Sequence, residues 1–165
     1  MSTSRAPRQR MERVGSWGTA IREGRWLWPT IDTMHLFGIV MLVGATSAVD
    51  LRLLGVVMRQ EPVSTLNHRL LPWAWVGFGI QIITGGLMFS SEAVKIYGSG
   101  PFRWKMVMLI LVALNFLVFH NWASRGMERW DRHAEAPAAA KVFAVLSLLL
   151  WLGIVTAGRW IAFAA

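Results

Sequence analysis

Two side chains able to do chemistry stand one helical turn apart at the mouth of a long apolar stretch: Asp32 and His35 in "IDTMHLFGIVMLVGATSAVDLRLLG", residues 31–55. The same stretch closes on Asp50 and Arg52. A histidine can ligate haem or a metal, or take part in proton or quinone chemistry, and an aspartate three residues away shares its helix face and can hold the ring. His68, His120 and His133, the cations Lys105 and Arg159, and the amides Gln81 and Asn115 complete the set. No GxSxG, HExxH, Walker loop or glycine-rich dinucleotide fingerprint accompanies them. No catalytic residue is therefore assigned, and the chain leans away from being an enzyme. Cysteine is absent, which excludes disulfides, thiolate chemistry, iron–sulfur clusters and cysteine-bound zinc.

These residues must be positioned by elements that live in lipid. Of the 165 residues, 55% are hydrophobic and 10 are tryptophan, too many for a small water-soluble core to hide. Four runs without Asp, Glu, Lys or Arg, at 33–49, 70–91, 106–124 and 142–158, hold 17, 22, 19 and 17 residues, against about 20 needed to cross a bilayer. The expectation is an all-α integral membrane four-helix bundle, with helices at about 29–54, 66–91, 102–124 and 138–163 in one domain over 29–165. Pro29 suits a first helical position, and Gly55 suits a stop. Residues 1–28 form a basic tail in which Val14, Trp17, Ile21 and Trp28 fall near one face, as in an interfacial amphipathic helix. Gly77, Gly79, Gly85 and Gly86 offer close backbone approach. Trp73, Trp75, Trp104, Trp122, Trp151 and Trp160 mostly fall near helix ends, as interfacial belts do.

The net charge of +8 does not call for nucleic acid, because six of the 17 basic residues lie in the first 25 positions and most others flank the apolar runs. Lipid headgroups and membrane orientation account for them. The chain termini and second link carry ten Lys or Arg and the first and third links seven, which places both termini in the cytoplasm.

Alternation of the four helices sorts the polar residues by depth. Asp32, His35, Lys105 and Arg159, with Glu92, fall on the side of the chain termini. Asp50 and His120 fall on the opposite side, with Arg52, Asn121, His68 and His133 nearer its water, while Gln81 and Asn115 lie near the middle as interhelical hydrogen-bond glue. Ionisable groups inside a membrane usually face the bundle interior or a water-filled cavity, so the two sets imply fold-specifying networks or working sites. His35 and His120 cannot be axial partners of one haem, since they lie at opposite sides. The candidate cofactor ligands are His120 with His68, and His35 by itself, and a b-type haem is the group they would suit. Methionines 34, 41, 88, 106 and 108 could supply a second ligand, and His68, His120 and His133 are the imidazoles available to copper.

The succession His35-Leu-Phe-Gly38, "DLRLLG" at 50–55, Pro72 followed by "TGG" at 84–86, "FRWK" at 102–105, "NFLVFH" at 115–120 and "GRW" at 158–160 resembles a family of bacterial four-helix inner-membrane proteins of unknown function. The resemblance covers roughly residues 28–163 and implies fold and membrane location but no reaction. In general layout the chain is also similar to the copper-resistance D-type and small b-type cytochrome bundles. The function expected is that of an accessory or anchor subunit in the bilayer, binding a membrane protein partner or further copies of itself. The alternatives are a haem-carrying electron carrier and a small transporter or channel working through Asp32, His35, Lys105 and Arg159.

Overall fold

The structure is a computed structural model that describes residues 26–97, 99–124, 131 and 136–164. The basic tail at 1–25 and His133 lie outside the described residues, as does the side chain of Glu92. Among the described residues four helices follow one another: α1 Leu27–Leu53, α2 Val63–Tyr97, α3 Gly100–Ser124 and α4 Ala138–Ala164. Each contains a segment long and apolar enough to cross a membrane. The protein is an all-α integral membrane protein with no strand among the described residues.

Local chemistry sets the helix ends. Pro29 lies in the first turn of α1, where its missing N–H would have had no partner within the helix. At the other end Gly55 adopts φ +72°, and its N–H and that of Val56 bond back to the carbonyls of Arg52 and Leu51 at 3.0 Å each. That is a Schellman closure, which glycine makes without a Cβ penalty. The link that follows is pinned by Arg52, whose Nε donates to the Glu61 carbonyl at 2.7 Å. α2 then starts at Val63 under a cap from far along the chain: the Ser64 N–H donates to Asp131 Oδ1 at 2.8 Å, and the Ser64 hydroxyl donates to Oδ2. α2 also runs beyond Ser91 to Tyr97, because no glycine or proline interrupts it before Gly98. Pro72 sits inside α2 and removes the N–H that would have bonded the His68 carbonyl.

α1 is the centre of the packing. It lies along α2 on one flank and against α4 on another, and α3 lies along α4, whereas α2 and α3 barely meet. The α1–α2 crossing is set at Gly38 and Gly77: a Cβ at Gly77 would stand 2.6 Å from the Leu42 nitrogen and 2.9 Å from the Gly38 carbonyl oxygen. Gly79 and Gly86, by contrast, have nothing within 4 Å among the described residues, so of these glycines Gly77 makes the close approach and those two do not. On α4 the buried positions Ala140, Ala144, Ser147, Trp151 and Ile154 recur every three or four residues, the stripe of a helix embraced by two neighbours. Trp151 belongs to that stripe and not to an interfacial belt. It packs with Val112, Leu150 and Ile154, and Leu42, Val43, Met108 and Leu109 lie against them.

Candidate functional site: two intramembrane polar clusters

On the terminus side the sequence of α1 brings His35 against α2. Thr84 has one hydroxyl proton and donates it to the Ile80 carbonyl at 2.6 Å. The 2.8 Å contact between His35 Nδ1 and Thr84 Oγ1 is therefore a bond that His35 donates. The neutral ring is fixed as the Nδ1–H tautomer, with the Nε2 lone pair left over. One turn away on α2, Gln81 Nε2 donates to the His35 carbonyl at 2.6 Å. The expected ring partner, Asp32, is exposed and lies within electrostatic reach of His35 without bonding to it. Lys105 of α3 lies within the same reach. Its chain runs along Gly158 of α4, where a Cβ would stand 3.4 Å from Nζ. Arg159 is exposed and, with Val155, Thr156 and Trp160, lines an open groove of about 450 Å³.

The second cluster lies at the junction of α1, α3 and α4. Asp50 is buried, with the Ser147 side chain of α4 beside it. Asn115 of α3 is equally buried, and its Nδ2 donates to the Phe143 carbonyl of α4 at 3.2 Å. Phe143, Ser147 and Trp151 follow one another at four-residue intervals, so one face of α4 presents a carbonyl, a hydroxyl and an indole N–H in a row. Three buried atoms here have no hydrogen-bond partner: Asp50 Oδ2, Asn115 Oδ1 and Trp151 Nε1. Arg52 is the largest fully buried side chain and leaves Nη1 similarly unpaired.

His68 and His120 lie outside both clusters. His68 and His120 are exposed, on helices that scarcely touch, and the His120 ring stacks on Phe116 with centroids 6.0 Å apart. Counted from the α2–α3 junction at the helical rise, His68 lies about 44 Å along α2 and His120 about 30 Å along α3. Haem ligation by this pair would have to bridge that offset.

Residues 24–164 match the model of a family of unknown function, DUF6644. The chain belongs to that family. No curated protein and no solved structure matches it. Membership supplies a fold unit and no chemistry. Thr84, Ser147, Trp151 and Asp131 were not singled out as site residues from sequence. Ser147 had a signal available, being the single hydroxyl or amide side chain between Lys141 and Thr156, on the same face as the alanines that α4 buries.

Proposed function

We propose that this DUF6644 protein is an accessory or anchor subunit of the bacterial inner membrane, both termini cytoplasmic, that holds a partner's transmembrane helix against the outer face of α2. The observation that carries this reading is the open ground beside Gly79 and Gly86. The two lie seven residues apart on one face of a helix that packs along a single neighbour, with no atom within 4 Å of a Cβ at either position. Small residues at that spacing let a second backbone come close, and close packing is what drives helix association in lipid. The aromatic and aliphatic side chains beside them, Phe78, Ile82 and Phe89, are exposed and add contact area. The bias of Lys and Arg toward the termini and second link supports the orientation.

The test is purification from native membranes in mild detergent. A second membrane polypeptide is expected at fixed stoichiometry, and Gly79→Leu with Gly86→Leu should release it while His68→Ala keeps it. A chain that elutes alone, or only with copies of itself, removes the hetero-partner reading. The same preparation addresses the haem alternative, because a Soret band that shifts on reduction and disappears in His120→Ala would make the protein an electron carrier.

A further inference from the structure

We propose that the α1–α3–α4 junction is a binding site for one monovalent alkali cation, with Asp50 Oδ2, Asn115 Oδ1 and the Ser147 hydroxyl oxygen as its protein ligands. The inference goes beyond partner binding and rests on different residues. Each of the three helices contributes one oxygen. The Ser147 side chain lies beside the Asp50 carboxyl group, and the Asn115 amide reaches the Phe143 carbonyl, which is the same carbonyl that accepts the Ser147 N–H within the α-helix. The carboxyl and the amide are therefore drawn to one turn of α4 from its two sides. Asp50 and Asn115 are each 9% exposed, and each retains one oxygen that accepts nothing from the protein. Both orphans are acceptors, which is the set a cation satisfies.

The charge around the junction selects a single positive charge. Arg52 follows Asp50 by two residues and so projects about 200° around the helix from it, with its Nε bonded to the Glu61 carbonyl. His120 of α3 is exposed, and Lys141 of α4 lies six residues before Ser147, near the start of its helix. None of these is placed to neutralise the carboxylate. One carboxylate and two neutral oxygens balance one positive charge, whereas calcium-type sites gather more oxygens and more carboxylates. Among the described residues no three His, Cys, Asp or Glu side chains stand together to hold a metal ion, and hard oxygen donors disfavour soft metals. Trp151 follows Ser147 by four residues on the same face of α4. Its unpaired Nε1–H cannot ligate a cation but can donate to a water in the cation's shell. Ser147 lies about 13 Å into α4 from the side opposite the chain termini, so the ion would enter from that side.

The full-length protein in lipid nanodiscs is melted at fixed pH and equal ionic strength in the chlorides of sodium, lithium, potassium and N-methylglucamine. A saturable rise of a few degrees in melting temperature is expected with at least one alkali cation over N-methylglucamine. Asp50→Asn should abolish it, and Asn115→Leu and Ser147→Ala should move its midpoint to higher salt. Ser147→Ala keeps every charge, so it reports on the site even if Asp50→Asn fails to fold. Identical melting in all four salts overturns the proposal. So does a cation response that survives Asp50→Asn or is unmoved by Ser147→Ala, and so does a melting temperature that follows pH alone.

Discussion

Thr84 shows how one hydroxyl sets the chemistry of a neighbouring ring. By giving its proton to Ile80 and receiving one from His35, it fixes which imidazole nitrogen is available to a ligand. Replacing it with valine keeps the shape and removes the acceptor. Thr84→Val is expected to destabilise the protein by only about 0.6 kcal/mol, the average for interhelical hydrogen bonds in a membrane, measured by reversible unfolding in detergent. The same variant should release the tautomer, seen as exchange between the two ring-nitrogen signals in ¹⁵N NMR of labelled histidine. A loss of several kcal/mol would show that the bond carries the fold and not only the ring's orientation. The spacing of Asp32 and His35 suggested a pair, whereas the bonded partner is Thr84, and nothing in α2 marks that hydroxyl out from those of Ser90 or Ser91 until the rotation of α2 about its axis is known.

At the scale of elements, the α1–α2 crossing separates glycines that look equivalent in sequence. Gly77 meets backbone on α1, which cannot yield as a flexible side chain would, while Gly79 meets nothing. Gly77→Ala is therefore expected to cost about 1–3 kcal/mol through overpacking, and Gly79→Ala to be neutral or slightly stabilising through its better helix propensity, both read as shifts of the unfolding midpoint. Equal effects would mean that the two helices do not cross there. Helix ends were more legible than crossings. Gly55 marks the end of α1 in the sequence and takes the left-handed conformation in the structure, because a C-terminal closure depends on a few consecutive residues. The start of α2 depends on Asp131, 67 residues away, and no local pattern announces it.

Among the described residues the four membrane-crossing helices form a ring open on one side. Phe89 and Phe102 stack with centroids 5.4 Å apart near the α2–α3 junction, and beyond them the two helices leave each other's company. The absence of native cysteine makes this testable with introduced pairs. A short thiol-specific cross-linker should join Phe89→Cys to Phe102→Cys within one chain and fail to join Phe78→Cys to Phe116→Cys. Efficient joining of both pairs would mean that the ring closes in the membrane. The sequence by itself determined the four segments long and apolar enough to cross a membrane, because charge-free length and apolar composition are properties of each segment alone. It also set an expectation of which polar residues share a side, since alternation follows from counting helices. Only the tertiary structure decided which of them meet: that His35 turns to Thr84 and not to Asp32, that Asp50 meets Ser147 while Arg52 turns away to Glu61, and that Trp151 lies in the core. Each of these depends on the rotation of a helix about its axis and on which neighbour it lies against, and a shift of one residue turns a side chain by about 100°, enough to exchange lipid for protein.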